Sequence, residues 1–270
     1  MRFGFTCLVA VLPLAASLPD GNELIRRAAE ADRANWRRTS GYDFIERVVT
    51  KHLDGNGKVK RTESRAHEVL WLEGSPYRRV IERDGKPLPE VEAKFEADKL
   101  KAVTEERRKE TPEVRTKRLE EAERVRNRDR PALSEVPQAF HFRVVGEQVV
   151  NGRKTWVTAF EPRPGYQPRD RRAKLFPHLK GRVYIDQSEH QWVRTEAELF
   201  ETFSFGWILV RVAKGSTVVV EQSRTAEGDW TQSSLDVKAE ATIGLFKHYR
   251  VDQRNSYTGY RRNGIATSQE

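Results

Sequence analysis

Period-two alternation dominates the chain. Between Gln191 and Phe205, the residues Val193, Thr195, Ala197, Leu199 and Phe203 fall on one side of a predicted strand. Arg194, Glu196 and Glu198 fall on the other. Between Trp230 and Ile243, Leu235, Val237, Ala239, Ala241 and Ile243 oppose Gln232, Asp236, Lys238 and Glu240 in the same way. Further strands are predicted over 42–53, 58–72, 77–83, 140–150, 154–161, 182–186, 217–224 and 248–261. Asp54-Gly55-Asn56-Gly57 and Asn151-Gly152 mark hairpins, the first placing Glu46 opposite Arg65 and Phe44 opposite His67. The sum is nine or ten antiparallel strands, each with one wet face, and no βαβ rhythm.

Helical spacing occurs in two places. Residues 22–38 place Leu24, Ile25, Ala28, Ala31 and Trp36 near one face, with Asp20 or Asn22 as cap and Gly41 beyond the end. Residues 89–130 are charge-rich and split into two helices at Thr111-Pro112. Their apolar stripes are thin: Val91, Phe95, Leu100 and Val103, then Val114, Leu119, Ala122 and Val125. So narrow a stripe docks lightly on a surface and does not enter a core. The segment reads as an arm or lid inserted into a sheet.

One run departs from both periods. Phe203-Ser-Phe-Gly-Trp-Ile-Leu-Val-Arg-Val-Ala-Lys-Gly215 lies between strands, where polar residues are the norm. It reads as a short apolar helix or wide turn closed by Lys214 and Gly215. Trp207 would make it a lipid-contacting lip, or the run folds back as a plug over the sheet.

The N-terminus sets the expected compartment. Arg2, the apolar Phe3–Ala16 stretch and small residues at Ala15-Ala16-Ser17 form the pattern of a secretory signal peptide over 1–17. The expected mature chain, 18–270, is one domain without cysteine, since Cys7 leaves with the leader. No second apolar stretch is long enough to cross a bilayer. The formal charge of +9 favours anionic surroundings such as phospholipid head groups, so peripheral membrane contact is open. Basic and acidic residues are interleaved without a nucleic-acid motif, and no nucleic acid is expected.

The search for chemistry yields no enzyme. The six histidines (52, 67, 141, 178, 190 and 248) show no HExxH and no i, i+4 pair, so no metal is expected. Lys214-Gly215-Ser216-Thr217 lacks the upstream glycine of a phosphate loop, and G-x-S-x-G is absent. No cofactor is expected. What remains is a sheet face that mixes Val, Leu and Phe with small Ala and Thr. Such a concave face leaves room for an apolar guest, unless the helices fill it. The candidate ligand-binding positions are Val193, Ala197, Leu199, Phe203, Trp207, Leu235, Val237, Ala239 and Ala241.

Three segments carry a family resemblance. Val149-Val-Asn-Gly-Arg-Lys-Thr-Trp-Val-Thr-Ala-Phe-Glu-Pro162 with Arg163 resembles a strand pair of the outer-membrane lipoprotein-sorting proteins, the LolA/LolB-like group. Gly181-Arg-Val-Tyr-Ile-Asp186 with Gln191-Trp-Val-Arg194 is similar to their next hairpin, and Tyr257-Thr-Gly-Tyr260-Arg261 to their closing strand. The resemblance spans about residues 22–84 and 139–262, with 89–130 outside it. It implies a mainly β (α+β) fold: an unclosed antiparallel half-barrel with helical caps, here with a charged helical insertion. It also implies a periplasmic, non-enzymatic carrier or binder of lipid acyl chains, lipoproteins or another apolar cargo. The alternative is a cell-envelope protein-interaction or stress-sensing module on the same fold, without lipid.

Overall fold

The computed structural model describes residues 18–205, 210–244 and 247–263. Residues 1–17, where the sequence predicts a leader, lie outside them. The chain opens with helix α1 (Gly21–Arg38), followed by β1 (Tyr42–Leu53), β2 (Val59–Leu72), β3 (Ser75–Arg83) and the short β4 (Lys86–Pro87). Then come α2 (Glu90–Arg108), α3 (Pro112–Arg126), α4 (Arg130–Ser134) and α5 (Val136–Ala139). The second half holds β5 (Phe140–Val150), β6 (Arg153–Pro162), a 3-10 helix (Arg172–His178), β7 (Leu179–Asp186) and β8 (Trp192–Leu199). It closes with β9 (Phe203–Phe205), β10 (Val210–Val212), β11 (Thr217–Arg224), β12 (Trp230–Ile243) and β13 (Lys247–Arg262).

All thirteen strands join one open antiparallel sheet, in the order β4-β3-β2-β1-β13-β12-β11-β8-β7-β6-β5, with β10 on β12 and β9 on β10. The last strand slots between β1 and β12, so the N-terminal meander and the remainder share one surface. The count exceeds the nine or ten expected because β4, β9 and β10 are only two or three residues long. A second correction concerns the apolar run after Phe203. Its two flanks are paired strands, Phe205 opposite Val210 and Phe203 opposite Val212, so no single helix spans it; 206–209 lie outside the described residues. A short apolar run carries no period that separates the two states.

The first hairpin also differs. Glu46 pairs with His67 and Phe44 with Val69, two residues away from the expected register. The turn is wider than a two-residue one: Asp54 N–H donates to the Lys58 carbonyl, 2.9 Å, and the ladder bulges between His52 and Leu53. A shift of two leaves every side chain on its expected face.

Helix α1 lies across the inner face. The Asp20 carboxylate accepts the Glu23 N–H at 2.8 Å, which fixes the first turn. Leu24, Ile25 and Ala28 then face down into Phe140, Phe142, Val144, Phe160, Val183, Ile185 and Ala197, and this is the main core. The start of the helix sits so close to β5 that a Cβ on Gly21 would lie 2.4 Å from the Phe142 carbonyl oxygen. At the far end, Asn35 makes two bonds to the Trp230 backbone, 2.8 and 2.9 Å, so α1 runs from β5 to the start of β12.

The insertion is held by charge. Neither α2 nor α3 has a buried residue, and Val91 and Phe95 are 81% and 66% exposed. Arg107 donates to the Leu72 and Ser75 carbonyls, while Arg118 reaches the Glu73 carbonyl, Ser75 Oγ and the Glu110 carboxylate. The pair of helices therefore docks on the β2–β3 turn. Trp36 Nε1 donates to Asn127 Oδ1, 2.9 Å, and Arg130 meets Asp32, tying the end of the insertion to α1.

Candidate binding face

Register carries a single face across the sheet. Phe142 lies opposite Phe160, Phe160 opposite Gly181, Gly181 opposite Ala197, Ala197 opposite Val218 and Val218 opposite Val237. One step along, Thr195, Val220, Leu235, Asn255 and Val48 follow each other in the same way. The opposite face of these strands is wet and ion-paired, with Arg194 on Glu196 and Glu221, Arg250 on Glu240 and Arg254 on Asp236.

The inner face has three zones. Under α1, from β5 to β8, it is closed core. A Cβ on Gly181 would fall 1.9 Å from the Glu196 carbonyl oxygen, so β7 and β8 come close only because this residue lacks one. Beyond α1 comes a stripe of half-buried apolar residues: Val218 and Val220 of β11, Leu235, Val237, Ala239 and Ala241 of β12, and Val251 of β13. The third zone, on β13, β1, β2 and β3, sets polar side chains among Phe44, Val48 and Val69.

That polar group was not among the expected site residues. Asn255 Nδ2 donates to Glu46 Oε1 at 3.4 Å and to the Tyr257 hydroxyl at 3.3 Å, and Gln253 Nε2 donates to Asn255 Oδ1 at 2.9 Å. Arg78 forms an ion pair with Glu46 and donates to His67 Nδ1 at 3.1 Å. A guanidinium only donates, so His67 Nδ1 accepts and the ring proton sits on Nε2. Burial pulls the His67 pKa down, and Arg78 beside it acts in the same direction, so the ring is neutral at neutral pH. Burial pushes the Tyr257 hydroxyl up. Glu46 and Arg78 pair in charge, Arg65 lies opposite Val48 nearby, and Glu46 and Asn255 are themselves buried. A signal for it existed in the sequence. Glu46 sits at the same strand parity as Phe44 and Val48, where an apolar residue is the rule.

The nine expected positions divide accordingly. Ala197 belongs to the core under α1, and Leu199 and Phe203 are buried at the end of that zone, Phe203 against the His178 ring. Val193 leaves the expected face and packs with Val150, Val157, Tyr184 and Trp230. The ladder slips between Tyr184 and Ile185 at this point, which breaks the parity. Leu235, Val237, Ala239 and Ala241 stay together on the half-buried stripe. Trp207 lies outside the described residues. Two cavities of about 330 and 380 Å³ occur at strand ends, and none of the nine lines either one. Among the described residues, no three His, Cys, Asp or Glu side chains gather as metal ligands.

Comparison with solved structures returns chains of low identity. This chain is similar to LolA-superfamily structures. The LolA superfamily protein from Nitrosomonas europaea matches at 8% identity over 92% of this chain and 96% of that one, with a TM-score of 0.37. A Desulfovibrio piger protein of the DUF1329 family matches at 10% identity over 93% and 96%, TM-score 0.36. The Pseudomonas aeruginosa MucA/MucB complex matches at 12% identity over 88% and 93%, TM-score 0.23. No family model matches the sequence, and no curated protein matches it. The half-barrel assignment rests on the open antiparallel topology itself.

Proposed function

We propose that this chain is an exported cell-envelope binding protein that holds an apolar or lipidated cargo on the inner face of its sheet. The reading rests on one observation: Val218, Val220, Leu235, Val237 and Ala239 form a stripe continuous with the core yet left half-open by α1. An acyl chain laid on it would remove apolar surface from water on both partners, about 25 cal/mol per Å². The stripe ends at Glu46, His67, Asn255 and Tyr257, which suit an uncharged polar group such as an ester or amide at the head of the chain. No catalytic step is assigned. The leader-like pattern over 1–17 supports export, and among the described residues no helix is long and apolar enough to cross a membrane.

A second reading has its own support. Gln253 and Asn255 carry side-chain amides that match peptide groups, so the same face could take an apolar protein segment. Lipid mass spectrometry on protein purified from its native envelope separates the two. Near-stoichiometric lipid, lost in Val237→Glu, is the expected result. Protein that is lipid-free and also leaves a fluorescent acyl probe unbound would refute the lipid reading.

A further inference from the structure

The antiparallel order sends one set of strand ends to a single rim: the end of β1 and start of β2, the start of β7, the end of β8, the start of β11, and the β12–β13 turn. The segment between β6 and β7 lies there too, because both strands terminate on that side. Lys58, Arg171, Lys174, Arg211, Lys214 and Lys247 stand on this rim, all exposed. None has a carboxylate partner among the described residues; Lys247 lies over the Tyr249 ring, 5.4 Å from its centre. Most carboxylates nearby are engaged elsewhere. Glu201 pairs with His178, while Asp54 and Asp170 are held by backbone N–H groups and keep their charge. Glu161 and Glu198 are left over.

The other rim is built differently. Arg38 and Arg262 meet Asp229, Arg153 meets Asp186 and Glu189, Arg108 and Arg115 meet Glu73, and Arg118 meets Glu110. These six arginines are tied down by acids of the same chain, while Arg37 and Arg261 beside them are exposed.

We infer that the basic rim docks on an anionic phospholipid surface, an interaction independent of what the inner face holds. The six cations come from several separate segments spread along one rim of the open sheet, so they offer a broad surface rather than a single pocket. Ile243, 40% exposed and opposite Lys247 in the ladder, places an apolar side chain among them, the combination that binds at a lipid interface. An acidic protein segment would use the same charges, and the experiment sets it apart.

Co-sedimentation of the purified chain 18–270, without the expected leader, with sucrose-loaded vesicles tests this. Binding is expected to vesicles of equal phosphatidylglycerol and phosphatidylcholine, to weaken with added salt, and to be absent with phosphatidylcholine alone. Lys174→Glu/Lys214→Glu/Lys247→Glu should weaken binding by roughly 100-fold or more, since each basic residue near such a surface contributes about 5-fold. Lys58→Glu/Arg171→Glu, on other segments, should weaken it to a smaller extent, which keeps the test valid if the triple variant misfolds. Lys99→Glu/Lys101→Glu/Lys117→Glu, on the helical insertion, changes net charge equally and should have little effect. Equal losses in the two triple variants would reduce the effect to net charge and overturn the inference. So would wild-type protein that binds polyglutamate but no phosphatidylglycerol vesicle.

Discussion

The inner face under α1 and the inner face beyond it are made of the same strands with the same alternation, yet they end in different states. From β5 to β8, Leu24, Ile25 and Ala28 of α1 complete the packing, and Ile185, Val183 and Phe160 are buried. From β11 to β1, the positions that continue that face remain half-open and give way to Glu46 and Asn255. The difference is made by one helix, whose path is fixed at Gly21 and Asn35. Composition of the strands alone does not decide what is core and what is surface; the length and line of the covering element does.

The comparison breaks most readily by truncation. Ile185→Ala should cost about 2–5 kcal/mol in urea unfolding, because the site is fully enclosed. Leu235→Ala, on the partly open stripe, should cost less, about 1–2 kcal/mol, since that side chain is only partly covered. Equal losses would make the stripe core and remove the distinction. Next in size, Asn35→Ala leaves the buried Trp230 N–H and carbonyl unpaired and should cost about 1–3 kcal/mol. Hydrogen exchange should then accelerate in the last turns of α1; unchanged exchange there would mean the helix is placed by something else.

The smallest effect depends on pH. Glu135 accepts the Tyr166 hydroxyl at 2.6 Å and the N–H groups of Arg169 and Asp170, and these hold its carboxyl below the usual range. A depressed folded pKa contributes stability that is present above the unfolded value, about 4.3, and is lost as pH falls through the lower folded value. The stability gap between wild type and Glu135→Gln should therefore shrink as pH falls below about 4. A gap that is constant with pH would show that the carboxylate does not anchor the segment after β6.

Much of this was legible in the residues. Alternation in β8 and β12, the two hairpin turns and the Thr111 cap, whose Oγ1 accepts the Val114 N–H, predict elements that form. The thin stripes of α2 and α3 predict helices that bury nothing. Three features were hidden because they depend on register or reach. Val193 changes neighbours at a bulge that parity cannot foresee. The strand identity of 210–212 comes from pairing with a distant partner, β12, on one side and with β9 on the other. The extent of α1's cover is a matter of its angle across the sheet. Glu46, by contrast, stood in plain sight at an apolar position.

The account turns on whether the stripe is accessible to a guest. The direct measurement is maleimide labelling of Val237→Cys and Val183→Cys, each in a chain with Cys7 replaced by Ser. Cysteine at 237 should label rapidly and be protected by a saturating acyl ligand, while cysteine at 183 stays unreactive. If position 237 is as unreactive as 183, or labels at the same rate with and without the ligand, the inner face does not hold the cargo proposed for it.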